Sequence, residues 1–403
     1  MGLQAHIIII LLSSIVILSY IFNLISRATR IPSVLLLIAT GVGIKYLSGY
    51  YGYAQQEVSK LVNILGAVGL IMIVLEAALD LKVNRSKVKL IRGSFSSALG
   101  IFLVSAFGIG FLVSAWLQEP FDQAFIYAVP LSIISSAIVI PSTSHLPTSK
   151  KEFIIYESSF SDILGILAFN YMLMKNILSF SSTMQFAGNI GLAIIISAAA
   201  TLLLIYILTK IKVDAKFFLL FAILSLVYAM GELIHLPSLL IVLVFGLVLN
   251  NISSLVAGRI QKWINVEEFE GVLSFLKSIT AETSFLIRTF FFILFGYTID
   301  LNIFSSTDVW ELGSIIVLIL LFVRFLYLKF ILKTSLIPEL FLMPRGLVTI
   351  LLFYSIPFEK RLGSFNEGIL FFVVVVTSIL MMIGLLFWSK DNNGYVEPTD
   401  GDA

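Results

Sequence analysis

The chain contains no cysteine, which excludes disulfides, thiol nucleophiles and thiolate metal sites together. It is also poor in charge. Only 12% of its 403 residues are Asp, Glu, Lys or Arg, against roughly a quarter in a soluble domain. Histidine is scarcer still: His6, His145 and His235 stand far apart and make no ligand spacing such as HExxH. Neither sign of charge dominates, since 26 basic and 24 acidic residues leave a net charge of +2. So small a balance gives no reason to expect a nucleic-acid partner, and no motif calls for a cofactor. What remains is apolar, with 59% hydrophobic residues in long runs from end to end. That composition belongs to a polytopic helical membrane protein, whose surroundings are the lipid bilayer. The first run, from Ala5, has no basic stretch before it and no small-residue cleavage site. It reads as a retained span rather than a signal peptide.

Hydropathy, interrupted by charges, prolines and glycines, predicts thirteen spans. They lie at roughly 5–25, 31–48, 58–80, 92–117, 122–145, 151–176, 184–210, 216–234, 237–250, 281–300, 309–332, 337–357 and 368–389. The expected fold is all-α. Between the ninth and tenth spans, Trp263, Phe269, Leu273 and Phe275 suggest an amphipathic helix lying in the membrane interface. The last residues, 391–403, read as a short acidic cytoplasmic tail.

The basic residues test this reading. With the N-terminus outside, eighteen of them fall on the cytoplasmic side. Five fall outside: Lys45, Lys60, Lys175, Lys360 and Arg361. Such a bias predicts an outside N-terminus, a cytoplasmic C-terminus and an odd number of spans in a cell membrane. Three arginines are left over, Arg288, Arg324 and Arg345, and all lie inside spans. Those need partners.

A short internal echo aligns "LEAALDLKV", ending the third span at Asp80, with "LFGYTIDLN", ending the tenth at Asp300. "VIPSTS" in the fifth span and "LMPRGLVT" in the twelfth each place a proline mid-span, Pro141 and Pro344. Helices seven spans apart run in opposite directions. Broken helices at matching positions of two inverted halves are the sequence pointer to a transporter's midplane site.

The polar load of the chain gathers in "YESSFSD" at 156–162. Asp162 stands twelve residues after Lys150 and thirteen before Lys175, about 18 Å from either end of its helix at 1.5 Å per residue. That is close to the bilayer centre. Glu157 and Ser161 fall on one edge of a helical face and Ser158 and Asp162 on the other, with Gly165 between them. A carboxylate held in hydrocarbon without a partner takes up a proton. It becomes useful where a cation can displace that proton, and hard oxygen ligands suit an alkali cation. Asp162 and the Ser158 hydroxyl are the natural donors, joined by backbone carbonyls freed at Pro141.

Arg324, in "LFVRFLYL", cannot shed its charge and must find a partner. Glu157 is the expected one, either locking two helices together or leaving Asp162 as the free carboxylate. Arg345, between Pro344 and Gly346, is placed to neutralise a helix C-terminal end at a break. Arg288 is accounted for by snorkelling or by Glu282. Glu76 is a candidate for lining the ion path, whereas Asp80 reads as a solvated helix end. His145 reads as a helix-end histidine, with pH sensing as its functional alternative.

These stretches resemble a known family. "YESSFSDILG" is similar to the GESLFND signature of the sodium/proton exchanger (NhaP-like) branch of the monovalent cation:proton antiporter superfamily. "SSAIV" at 135–139 resembles the SSTAIV of its Kef and NapA-like branch. "MPRGLV" and "LFVRF" resemble the exchangers' broken twelfth helix and the arginine of their eleventh. The resemblance implies a NhaA/NapA-like fold with inverted repeats and two broken crossing helices, working by elevator-like alternating access as a homodimer. It implies one transmembrane unit over 1–390, with core helices about 92–176 and 309–389 against scaffold helices about 5–80 and 184–300. It puts Asp162 in the place of the ion-binding aspartate and Glu157 with Arg324 in that of the buried ion pair. Ser158, Ser161 and Ser136 would join Asp162 around an alkali cation, with Pro141, Pro344, Arg345 and Gly346 at the breaks.

Two departures bear on function. The usual Asn or Asp before the catalytic Asp is Ser161 here, which points to one cation per proton and electroneutral exchange. The fifth span lacks Thr-Asp-Pro, which leaves Na⁺, K⁺ and Li⁺ open with Na⁺ first. No nucleotide-binding domain follows the spans, so ligand-gated control of the Kef type is not expected. The rival reading is a K⁺-selective efflux system or a cation channel of the same superfamily. A channel would conduct without a proton gradient. A membrane-embedded enzyme would carry large, charged outer loops, which this sequence lacks, and a scaffold would give no reason for Asp162.

Overall fold

The computed structural model describes residues 2–50, 58–81, 85–143, 145–174, 179–210, 216–234, 236–255 and 266–392. Among the described residues every regular element is helical. The first three helices are α1 (Gly2–Thr29), α2 (Ser33–Tyr50) and α3 (Val58–Asp80). A long α4 (Val88–Leu117) then leads to α5 (Phe121–Ser132) and the short α6 (Ser136–Ser142). Next come α7 (Thr148–Met172), α8 (Phe180–Lys210), α9 (Lys216–Leu233) and α10 (Ser238–Leu255). The last four are α11 (Val266–Thr298), α12 (Thr307–Leu326), α13 (Leu347–Tyr354) and α14 (Gly368–Asn392).

Seven of these segments are long and apolar enough to cross a membrane, and shorter apolar stretches lie within α1, α9 and α10. With α3, α7 and the broken segment that ends in α13, they make up the thirteen expected spans. The helix bearing Asp162 escapes a simple apolar criterion because of its own charges.

Two expectations change. Trp263 lies outside the described residues, but Leu273 and Phe275 belong to α11, which runs unbroken for 33 residues. No proline or glycine interrupts 272–295, so the expected interfacial segment and the tenth span form one rod. The twelfth span is likewise not a kinked helix. It is turns at 337–341, extended chain at 342–346, and only then α13.

The helices pack in two groups. In one, α2, α3 and α10 gather around α11 and α8, with α1 and α9 outside. In the other, α4 packs on α5, α7 and α12, α14 lies along α12, and α6 and α13 are tucked against α7 and α5. Where the groups meet, Ile163, Ile166 and Leu167 of α7 face Val74 of α3 and Leu239 and Leu243 of α10. That part of the seam is apolar.

Candidate functional site

The fifth segment breaks at Ile133–Ser135, between α5 and α6. Pro141 is not the break. It lies inside α6 and is exposed, so the expectation that it frees the midplane carbonyls is corrected. The sequence there, "SIISS", contains no helix breaker. What holds it open is tertiary. The carbonyls of Leu131 and Ser132, at the end of α5, accept from Arg345 Nε at 2.9 Å and Nη2 at 3.3 Å. Ile134 N–H donates to Ser161 Oγ at 2.9 Å. Ser135 N–H donates to the carbonyl of Pro344 at 2.9 Å. These backbone groups, which a continuous helix would have paired within itself, are paired elsewhere, as burial favours.

The second break, at 342–346, thus crosses the first and is hydrogen-bonded to it. A Cβ at Gly346 would fall 2.8 Å from Ser135 Cβ and 2.7 Å from Ile138 Cδ1. Only glycine lets the two chains approach this closely. Arg345 is fully engaged: besides α5 it donates through Nη1 to the Met343 carbonyl, and its own N–H donates to Thr377 Oγ1 of α14 at 3.0 Å. Its hydrogen-bond partners include no carboxylate. Its charge rests against carbonyls at the negative end of α5.

Asp162 is buried beside this crossing. Its Oδ2 accepts from the backbone N–H of Ser136 at 3.3 Å and from the Ser136 hydroxyl. Its Oδ1 is buried without a hydrogen-bond partner among the described residues, as are Ser135 Oγ and Thr349 Oγ1 in the two crossing segments. Ser158 donates to the Ile154 carbonyl of its own helix at 2.8 Å, not to Asp162, and Ser161 is committed to the break.

Glu157 and Arg324 lie 2.8 Å apart, both essentially without solvent contact. A second guanidinium nitrogen reaches the other carboxylate oxygen at 3.3 Å, making the contact two-pronged. Ser97 of α4 donates to Glu157 at 2.5 Å, and Arg324 Nε donates to the Glu339 carbonyl at 2.6 Å. Glu339 in turn pairs with Lys150 at 2.7 Å. Ser97, Ser135, Thr349 and Glu339 do not stand out in the sequence. The available signal was weak: Ser94 and Ser97 sit one turn apart in α4, and Ser94 donates to the Phe153 carbonyl of α7.

Arg288 does not use Glu282, which accepts instead from Tyr20 at 2.7 Å. It reaches Glu76 at 3.3 Å. Both line a small cleft together with Asp80, Ser136 and Pro141. The cleft ends against the residue that holds Asp162. His145 is exposed between α6 and α7.

An all-helical membrane protein with crossed broken segments beside a buried carboxylate is built as an ion transporter of the inverted-repeat class. Residues 11–388 match the sodium/hydrogen exchanger transmembrane family, and the chain belongs to that family of cation:proton antiporters. Its fold is similar to that of the sodium proton antiporter MjNhaP1 from Methanocaldococcus jannaschii at pH 8, with a TM-score of 0.71 at 18% identity over 96% of this chain and 100% of the other. An electron-microscopy structure of the same antiporter gives 0.69 and 18%, covering 98% and 99%. No curated protein matches the sequence significantly.

Proposed function

We propose that this chain exchanges one monovalent cation, Na⁺ before K⁺ or Li⁺, for one proton, with Asp162 as the shared carrier. The observation that carries the reading is the split of Asp162: one oxygen is held by Ser136 and the other is buried without a partner. The other buried carboxylates of that helix group are taken, Glu157 by Arg324 and Ser97, and Glu339 by Lys150. A proton on Oδ1 and a desolvated cation at the same oxygen are alternatives, so each displaces the other. Ser135 Oγ and Thr349 Oγ1 supply further hard oxygens from the two breaks, and Ser158 and Ser161 flank them on α7. Glu157 and Arg324 neutralise each other and leave Asp162 as the group whose charge changes in the cycle.

In this reading the α4–α7 and α12–α14 group is the moving core and the remaining helices the scaffold, sliding along the seam between them. The end bearing Lys150 faces the cytoplasm, the N-terminus lies outside, and two copies associate. Chemical cross-linking in membranes that recovers only single chains counts against the dimer. Labelling of an introduced cysteine at residue 150 from the outside only counts against the orientation.

The test is cation-induced collapse of a proton gradient in vesicles, comparing wild type with Asp162→Asn across Na⁺, K⁺ and Li⁺. Collapse by one cation in wild type alone is expected. Equal responses from both proteins remove Asp162 from the mechanism. A voltage building up during exchange in liposomes overturns the one-for-one stoichiometry.

A further inference from the structure

We propose that Arg288 is a tethered cation that sets how strongly the entry cleft attracts its ion. This deepens the reading above and rests on it. The cleft is formed by two walls from different helix groups. On one side are Glu76 and Asp80 of α3 with Arg288 of α11; on the other are Ser136 and Pro141 of α6. The first wall therefore carries the fixed charges, and the second carries the hydroxyl that holds Asp162. An ion using this cleft passes Glu76 before it reaches Asp162.

Arg288 stands 3.3 Å from Glu76, on the neighbouring helix. The pair is only partly buried, with side-chain exposures of 15% and 19%, so it sits at the margin of the cleft rather than in the core. A carboxylate already paired with a guanidinium offers an arriving alkali cation much less than a bare one. The guanidinium also repels that cation directly. Arg288 thus lowers the local ion concentration, keeping the fixed negative charge from retaining an ion that must move on to Asp162. An Arg suits this role because it cannot be switched off by losing a proton.

Charge-sum behaviour tests the assignment. Exchange in proteoliposomes is measured against cation concentration for wild type, Arg288→Gln, Glu76→Gln and the double variant. Arg288→Gln makes the cleft one unit more negative, and KM for the cation is expected to fall by about tenfold, the low end for field focusing in a cleft. The maximum rate holds or drops as release slows. Glu76→Gln strands the guanidinium and shifts KM upward by a similar factor, and the double variant returns close to wild type. Raising ionic strength shrinks all three differences. Arg288→Lys, which keeps the charge, covers the case in which Arg288→Gln fails to fold, and is expected to keep the wild-type KM. The proposal is overturned if Arg288→Gln lowers the maximum rate at unchanged KM, if both single variants shift KM the same way, or if Arg288→Lys behaves like a loss of charge. Wild-type vesicles that show no exchange would overturn the antiport reading instead, a different outcome.

Discussion

Replacing Glu157 by Gln removes one charge from a pair that has no access to water. Arg324 keeps its charge under all ordinary conditions, and its partner sits at 2.8 Å with neither side chain more than 1% exposed. Stranding one member of such a pair costs about 3–5 kcal/mol. Not all of Arg324's hydrogen bonding is lost, because its Nε still donates to the Glu339 carbonyl and the new amide oxygen can accept from one guanidinium nitrogen. Unfolding entropy of about 2.1 cal/mol/K per residue makes 1 kcal/mol worth about 1.2 °C for a chain this long. The expected fall in melting temperature is therefore about 4–6 °C, read by intrinsic fluorescence in detergent. The informative control is Glu157→Leu with Arg324→Met. Removing both charges leaves no stranded group, and a volume-matched apolar pair is close to neutral. The double variant is expected to melt above Glu157→Gln. If Glu157→Gln melts within 1 °C of wild type, or if the double variant is worse than the single, the contact is not the lock its geometry implies. Exchange by Glu157→Gln is expected to persist at a reduced rate, because Asp162 is untouched.

Gly346→Ala is expected to reduce exchange at least about tenfold, because its Cβ would press on Ser135 Cβ at 2.8 Å and overpacking of this kind costs about 1–3 kcal/mol. Full exchange at an unshifted melting temperature would show that the crossing can spread at no cost. Arg345→Met strips its side-chain donors from the carbonyls of Leu131, Ser132 and Met343, at about 1–3 kcal/mol for each acceptor left bare. A drop of several degrees is expected, with Arg345→Lys intermediate because an ammonium keeps the charge but not the fork. Lysine melting at the arginine value would mean that charge alone holds the end of α5.

The parts of the site that stand out in the sequence are those whose cost in a membrane is large. A charge deep in an apolar run is conspicuous whatever surrounds it, and this is how Glu157, Asp162, Arg324 and Arg345 were singled out. The position of the first break was not legible. Pro141 advertised a kink, yet it sits in α6 while the chain opens eight residues earlier at Ile133. The nearest helix breaker, Pro130, stands inside α5, three residues before the opening. The break exists because Arg345, Ser161 and the Pro344 carbonyl, distant in sequence, replace the helical bonds. Ser135 and Thr349 were passed over for a related reason. A lone hydroxyl in a span usually bonds back to its own helix, as Ser158 does, and only the fold reveals one that does not.

The basic residues that ran against the charge bias acquire a reason of their own. Lys45 donates to the Ile299 carbonyl just past α11, at 2.7 Å. Lys360 donates to the Met172 carbonyl at the end of α7, at 2.9 Å. Arg361 donates to the carbonyls of Ile356 and Tyr354 at the end of α13, at 3.0 and 3.2 Å. Each is a cation at the negative end of a helix, where it is favoured on local grounds. Of the other two exceptions, Lys175 lies outside the described residues, as does the side chain of Lys60. The opposition to the bias thus comes in large part from residues with structural duties. Lys360 and Arg361 are also neighbours in sequence, and between them they fasten the far ends of the two helices that carry Asp162 and follow Gly346. At the other end Lys150 fastens α7 to Glu339, ahead of the second break. The site is clamped at both ends within one group of helices, while the contact of α7 with α3 and α10 of the other group is apolar. In the proposed cycle, a body held together in this way would shift as a unit past the other group and leave the geometry around Asp162 in place.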